Sequence, residues 1–325
     1  MTKGAPKVSF CIPTSNYGPF IGRAIESVLA QIEPGVEIVV LDGGSVDQTR
    51  DVVEKLAASH RCVRYVYQPE RGGIDRDLAR SVELASGEYC WLLSADDALA
   101  PGALRRIMDE FERGHDILLA NRIWCDASLR PVRPEVWLTG ANRDRVVNFS
   151  RADEFLAYLE DARSLGALFS FMSCIGFRRE AWRRARVDAT LIGTNYTHVQ
   201  RLFGMGRDGA RLKYIAAPLV LCRGGSDSFS EAGLASRLLI DLKGFLELAR
   251  SIFPDNEVLQ AAFRAVLMRE HPWPRWVRAR SETRDSARWR EIERLLVVYG
   301  FNTAQLFLIN ALGKILGWFT RPVAA

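Results

Sequence analysis

Gly87-Glu88-Tyr89-Cys90-Trp91-Leu92-Leu93-Ser94-Ala95-Asp96-Asp97 is the stretch whose reading decides the fold. Tyr89 to Leu93 is an apolar run of strand length, and it stops at two adjacent carboxylates. Ala98-Leu99-Ala100-Pro101 comes next, and then a helical pattern places Leu104, Ile107, Met108 and Phe111 on one face. In an open α/β sheet, ligands bind beyond the carboxyl ends of the strands. A buried strand ending in Asp96 and Asp97 therefore carries negative charge to that edge. A phosphate-bearing ligand would need a divalent cation there, and Mg2+ or Mn2+, with their preference for oxygen ligands, meets the need. The plainer alternative makes Asp96 a turn residue and Asp97 the cap of the next helix.

The flanking sequence repeats the strand–helix alternation. Val8–Ile12, Val36–Leu41, Val63–Tyr67 and Asp116–Ala120 read as further strands, separated by helical patterns such as Ile21, Ala24, Ile25 and Val28. Alternation of this kind predicts parallel βαβ units and a doubly wound, mainly parallel α/β sheet flanked by helices. The loops after the first two strands, Pro13-Thr14-Ser15-Asn16-Tyr17-Gly18 and Asp42-Gly43-Gly44-Ser45, fall on the same edge as Asp96 and Asp97. Neither G-x-G-x-x-G nor G-x-x-x-x-G-K-[ST] appears after the first strand, which argues against a dinucleotide dehydrogenase and a P-loop ATPase. After Asn121 the pattern loosens. Phe169–Phe177 reads as a strand, Arg179–Arg184 as a short helix, Gly193–His198 as the lead into a helix, and Leu212–Cys222 as a strand broken by Pro218. From Glu231 onward the chain reads as successive helices, divided near Pro254, Pro272, Pro274 and Gly300.

Composition narrows the class. With 48% apolar and 26% charged residues the chain is globular. Six scattered Cys without a C-x-x-C spacing suit a reducing compartment. The polar opening Met1–Lys7 is unlike a signal peptide, and no run of about 18 apolar residues marks a membrane span. The expected location is cytoplasmic. The net charge of +5 is uneven: from Arg264 onward there are 11 Lys/Arg and 5 Asp/Glu, leaving 33 and 34 for the rest. A basic excess confined to the tail is no nucleic-acid signature, and no such partner is expected.

Four motifs occur in order: Ile12-Pro13-Thr14-x-Asn16-Tyr17, Asp42-Gly43-Gly44-Ser45-x-Asp47-x-Thr49, Ala85-Ser86-Gly87-Glu88-Tyr89, and Ser94-Ala95-Asp96-Asp97-x-Leu99-x-Pro101. Over about residues 7–120 the set resembles the nucleotide-sugar glycosyltransferases of family two, which have the GT-A fold. Gly72-Gly73-Ile74-Asp75-Arg76-Asp77 and Gly87–Trp91 look most like the abequosyltransferase-type enzymes of bacterial O-antigen assembly. The resemblance implies a GT-A domain over residues 1–225, with a nucleotide-binding half to about 120 and an acceptor half beyond it. Residues 226–325 form a helical C-terminal region. It implies inverting, metal-dependent transfer of a sugar from a nucleotide-sugar donor to an acceptor hydroxyl, in O-antigen or other surface polysaccharide synthesis.

The resemblance also implies roles for single residues. Pro13, Thr14 and Asn16 would contact the nucleotide, and Asp42 the nucleobase. Gly73 and Arg76 would lie in the donor site, with Arg76 either at the diphosphate or on a solvated helix start. Asp96 and Asp97 would bind the metal, and Asp96 also the donor. Ser94, also placed in the donor site, stands where many members carry a further Asp, so that one metal or ribose contact would be lost or replaced by its hydroxyl. The Glu-Asp pair that often supplies the base is replaced by Thr194-Asn195-Tyr196-Thr197-His198. His198 is the nearest group of suitable pKa, with Asp188 as alternative. Ser94 and the missing pair motivate a second reading, an inactive GT-A domain acting as a sugar-binding or scaffold subunit. A nucleotidyltransferase would need a Gly-rich, basic loop after the first strand, and none is there.

In the tail, Phe301, Ala304, Leu308, Ala311, Leu312, Ile315 and Phe319 recur at helical spacing, joined by Phe307. Trp273, Trp276 and Trp289 lie upstream among several Arg residues. Such a helix suits the interface of an anionic membrane, on whose inner face a lipid-linked acceptor would be met. The competing expectation is packing on the chain's own core or on a second subunit of a homo-oligomer.

Overall fold

Val8–Thr14 forms β1, and all seven of its residues are buried. A strand covered on both faces reads as a continuous apolar run, and β1 lies between two parallel neighbours accordingly. The computed structural model describes residues 7–140, 142–225 and 233–319. The chain divides into two compact units, Met1–Ser226 and Asp227–Ala325.

The first unit continues with α1 (Gly18–Leu29), β2 (Val36–Gly43), α2 (Thr49–Ser59), β3 (Val63–Gln68), α3 (Ile74–Leu84), β4 (Tyr89–Leu92), β5 (Ala98–Leu99) and α4 (Ala103–Glu112). Then come β6 (Ile117–Cys125), β7 (Pro131–Glu135), β8 (Arg145–Asn148), α5 (Ala152–Asp161), β9 (Ile175–Arg178), α6 (Arg179–Arg184), α7 (Thr197–Arg207) and β10 (Arg211–Arg223). The sheet order is β3-β2-β1-β4-β9-β6-β10-β5, with β7 beside β6 and β8 beside β10. Strands β1 to β4 are mutually parallel where they pair, and β9 runs antiparallel between β4 and β6. This is the mixed, mostly parallel sheet with flanking helices that the alternation predicts. The apolar faces of α1 (Ile21, Ala24, Ile25, Val28) and α4 (Leu104, Ile107, Met108, Phe111) are buried.

The motif Ser86-Gly87-Glu88 lies at the amino ends of the strands, away from the edge that carries Asp96. Ser9 Oγ donates to Glu37 Oε1 (2.5 Å), and Gly87 N donates to Ser9 Oγ (2.8 Å). Ser86 reaches Glu37 through both its N and its Oγ. These bonds fix the register of β1, β2 and β4, so this motif builds the sheet.

Three expectations are revised. Asp97 does not cap the following helix: Ala98–Leu99 pairs with Val220 and Leu221 of β10, and Gly102, at φ 77°, precedes α4. The apolar run Phe169–Phe177 is a strand only from Ile175. Before it lie two 3-10 turns, Leu165–Leu168 and Met172–Cys174, with Phe169 held at φ 61°. Gly176 marks the reason that the run packs this way, since a Cβ there would fall 2.6 Å from the Trp91 ring. Pro218 lies within β10 rather than ending it, because register shifts on either side absorb the missing donor.

The second unit, in its described residues, comprises α8 (Leu234–Ile252), α9 (Glu257–Glu270), α10 (Trp273–Glu282), α11 (Ser286–Val298) and α12 (Thr303–Phe319). Glu231, the expected start of the helical tail, lies outside the described residues. Trp276 and Trp289 are core residues of this unit, not surface aromatics. Trp276 Nε1 donates to His271 O (2.7 Å) and Trp289 Nε1 to Asn310 Oδ1 (2.9 Å). Of the three upstream tryptophans, Trp273 is the exposed one.

Candidate active site

The loops after β1 and β2 are stitched together. Asn16 N donates to Ser45 Oγ (2.8 Å), and Val46 N donates to Asn16 Oδ1 (2.9 Å). Asp47 accepts from Gly18 N (2.9 Å) and from Thr49 N (3.0 Å). Thr49 Oγ1 in turn accepts from Tyr17 N (2.9 Å). The spacing of residues within the two motifs thus has a structural use, and the Asn16 side chain is engaged in the stitch. Asp42, at the end of β2, is fully buried, with Oδ1 accepting from Ser45 N (2.9 Å) and Oδ2 from Tyr65 OH (2.7 Å). Pro13 is buried in β1 opposite Leu41.

At the end of β4 the chain turns, with Asp97 N donating to Ser94 O. Ser94 Oγ donates to Asp96 Oδ1 (2.5 Å). Asp97 is 3% exposed; Ser173 Oγ donates to its Oδ2 (2.6 Å) and Arg223 N to its Oδ1 (3.1 Å). Ser173 also accepts from Ser94 N (2.9 Å), and its carbonyl takes the Trp91 Nε1 hydrogen (2.9 Å). Arg223 donates through Nε to Asp96 O (2.9 Å), and its guanidinium lies 4.8 Å from the Phe20 ring centre. Burial, and next the neighbouring Asp96, push the Asp97 carboxyl up to about 7. The Arg122 charge acts in the opposite direction and offsets only part of this.

The other donor-site candidates surround this edge. Thr14 is buried, and among the described residues its Oγ1 has no hydrogen-bond partner, a cost that a bound ligand would relieve. Gly73, at φ 81°, precedes α3, and Arg76 is exposed on its first turn. Asp77 accepts from Gly72 N (3.0 Å) and Gln68 Nε2 (3.2 Å). A Cβ on Gly72 would fall 2.5 Å from Asp77 Oδ1, so the loop closes on that carboxylate only with glycine.

Among the described residues, no three His, Cys, Asp or Glu side chains form a group that holds a metal unaided. Asp96 and Asp97 nevertheless suit a hard divalent cation. Mg2+ is usually held by one or two carboxylates together with substrate phosphates, and the two adjacent carboxylates at this strand end supply that set.

His198 lies in the interior, at 5% exposure, with Nε2 2.9 Å from Phe169 O. A carbonyl only accepts, so Nε2 carries the hydrogen and that nitrogen cannot take a proton. Burial holds the imidazole below its ordinary pKa. Phe169 lies four residues before Ser173, so the ring supports the turn that delivers Ser173 to Asp97. Asp188 is exposed and accepts from Thr190 N (3.0 Å) and Thr190 Oγ1 (2.7 Å), which hold its carboxyl below the usual range. Ser173 and Arg223 are absent from the sequence-based candidates. They lie 76 and 126 residues from Asp97, and no local pattern marks either.

Comparison with known proteins fits this geometry. Abequosyltransferase RfbV of Salmonella typhimurium is 32% identical over 314 residues, covering 95% of this chain and 94% of that protein. Crystal structures of similar fold include Staphylococcus aureus TarS 1-349 in complex with UDP, with a TM-score of 0.60 and 15% identity over 96% of this chain and 89% of that one. A further solved structure of similar fold is the mannosyltransferase PcManGT of Pyrobaculum calidifontis in complex with GDP-Man and Mn2+, with a TM-score of 0.54 and 16% identity over 98% and 89%. The family model for Glycosyl transferase family 2 matches residues 9–185. By that match and by its likeness to RfbV along nearly the whole of both chains, this chain belongs to glycosyl transferase family 2.

Proposed function

We propose that this glycosyltransferase moves a sugar from a nucleotide-sugar donor to a hydroxyl of a saccharide acceptor during bacterial surface-polysaccharide assembly, with abequose the first donor sugar to test. The observation that carries the donor reading is the paired carboxylate at the end of β4. Asp97 is buried beside Asp96, its carboxyl raised by burial and by that neighbour, and lies on the same strand-end edge as Thr14, whose Oγ1 has no hydrogen-bond partner among the described residues. Asp96 and Asp97 would hold Mn2+ or Mg2+ against the donor diphosphate, and the cation would offset charge gathering on the leaving group. Thr14 would contact the nucleoside, Asp42, with both oxygens engaged by Ser45 N and Tyr65 OH, would act there by holding the Ser45 loop, and Arg223 adds fixed positive charge beside Asp96. Ser173 keeps Asp97 oriented. His198 has a supporting role in the Phe169–Ser173 turn rather than that of a base. A thermal-shift screen of CDP, UDP and GDP and their sugars, with and without Mn2+, tests the donor site. One nucleotide family raises the melting point in a cation-dependent way, since a ligand at 100 times its Kd stabilises by about 2.7 kcal/mol. The matching sugar nucleotide then supports transfer. Indifference to every nucleotide overturns the reading.

The tail supports a lipid-linked acceptor met at the inner face of the cytoplasmic membrane. Gly313 and Gly317 of α12 pack on α10: a Cβ on Gly313 would fall 2.5 Å from Arg280 Cγ. On the other side Phe307 (74%), Leu308 (49%), Ile315 (55%) and Trp318 (70%) are exposed. Among the described residues no helix is long and apolar enough to cross a membrane. An apolar helical face in a basic region suits a helix lying in the interface of an anionic bilayer. The purified chain is expected to sediment with anionic vesicles and less with neutral ones, and to be released by salt. The double variant Phe307→Glu, Trp318→Glu abolishes binding. Indifference to vesicles, with dimers that the same variant dissociates, assigns the face to a second copy instead.

A further inference from the structure

Asp75, on the first turn of α3, is 7% exposed, and its carboxylate accepts four hydrogen bonds from a segment 118 to 122 residues further along the chain. Gly193 N (2.8 Å) and Asn195 N (3.0 Å) reach Oδ2; Thr197 N (3.1 Å) and Thr197 Oγ1 (2.8 Å) reach Oδ1. Thr197 is the first residue of α7, and the residue before it, Tyr196, offers no side-chain cap. Asp75 therefore caps α7 from another element, placing negative charge at the helix start, where both the free N–H groups and the helix dipole favour it.

The clamped segment has an unusual shape. Gly193 sits at φ 98°, and Asn195, which is not glycine, sits at φ 70°. Left-handed backbone at a non-glycine residue costs energy and persists where the surroundings over-determine it, often at functional sites. Four bonds to one buried carboxylate supply that constraint. The constraint fixes the backbone that carries the Asn195 side chain, which is half-buried and makes no hydrogen bond among the described residues.

The clamp stands at the sheet edge that carries the donor site. Two residues on from Asp75, Asp77 Oδ2 lies 3.0 Å from where a Cβ on Gly43 would be, and Thr14 O lies 3.6 Å from that same point. The first turn of α7 also holds His198, whose bond to Phe169 O supports the turn leading to Ser173 and Asp97. One carboxylate thus ties the second half of the unit to the strand ends and sets the start of α7.

We propose that Asp75 is a positioning residue, and that it positions the Asn195 amide, which hydrogen-bonds a hydroxyl of the saccharide substrate. An amide offers both a donor and an acceptor, the complement of a sugar hydroxyl, which also does both. A site built to bond a hydroxyl discriminates strongly, because its polar groups are left unpaired when the hydroxyl is absent. This inference rests on the reading of this edge as the glycosyl-transfer site, and its test separates the two.

Asn195→Gly removes the amide while suiting the left-handed backbone. Its melting temperature is expected to stay level or rise, kcat/KM for the acceptor to fall at least 10-fold, and the calorimetric affinity for CDP, UDP or GDP with Mn2+ to stay unchanged. Asp75→Asn keeps the shape of the side chain but turns part of it into a donor. Hydrogen exchange at the amides of residues 193, 195 and 197 is expected to quicken at least 10-fold, with a raised acceptor KM and unchanged nucleotide affinity. Thr197→Val removes one of the four bonds, gives a smaller shift in the same directions, and replaces Asp75→Asn if that variant does not fold. Wild-type kcat/KM in Asn195→Gly overturns the substrate contact, and unchanged exchange in Asp75→Asn overturns the clamp. Failure of the wild-type chain to bind any nucleotide counts against the donor site instead.

Discussion

Asp97→Ala and Asp96→Ala are expected to lower turnover by roughly 10³-fold or more, because under the proposed cation role the loss of a ligand at the leaving group would forfeit several kcal/mol, at about 1.4 kcal/mol per decade. Asp97→Asn separates chemistry from folding. The amide keeps an oxygen for the Arg223 N–H and removes a buried charge that lies beside Asp96. Its melting temperature is therefore expected at or above that of the parent while transfer is lost, a trade seen where sites store unfavourable electrostatics. Excess EDTA should silence the parent enzyme, and Mn2+ or Mg2+ should restore it. Normal turnover in any of the three variants, or full activity in EDTA, removes the cation from the reaction.

Much of this site is legible in the sequence because its polar residues end apolar strands. Tyr89–Leu93, Val36–Leu41 and Val8–Ile12 announce buried parallel strands by continuous apolar runs, and the residues just after each run must lie at the ligand edge. The same reasoning fails where a residue acts across the sheet. Ser173 lies in an apolar stretch that looks like strand, and only the packing of Gly176 on Trp91 and the left-handed Phe169 bend it toward Asp97. His198 shows the converse. Its ordinary pKa recommends it as a base, yet the structure places it in the interior, with Nε2 bonded to a backbone carbonyl.

The second half of the sheet is harder to read for a different reason. β7 is Pro131-Val132-Arg133-Pro134-Glu135, which among the described residues pairs with β6 alone, and at such an edge proline and charge are tolerated and apolar periodicity is not required. The tail is a mixed case. Periodicity finds α12, but Trp276 and Trp289 look like surface aromatics in sequence and prove to be core, because their ring nitrogens find acceptors at His271 O and Asn310 Oδ1. Counting arginines around them does not reveal that.

Arg223→Ala is expected to lower kcat by about 10²- to 10³-fold, the usual cost of removing a preorganised donor at developing charge. The backbone N–H of residue 223, not its side chain, bonds Asp97 Oδ1, so the substitution leaves that carboxylate in place. It removes the guanidinium, which donates to Asp96 O and to Ala127 O and lies over Phe20. The loss thus isolates fixed positive charge at the site from the geometry of the paired carboxylates. Arg223→Lys restores the charge but not the planar fork, and should recover only part of the rate. Kinetics at saturating donor and acceptor, with the melting temperature of each variant, decide the matter. A fall in kcat with an intact fold and partial rescue by Lys assigns the guanidinium to the reaction. Unchanged kcat in Arg223→Ala, or a loss that tracks unfolding alone, makes Arg223 a brace between β10 and the turn after β4.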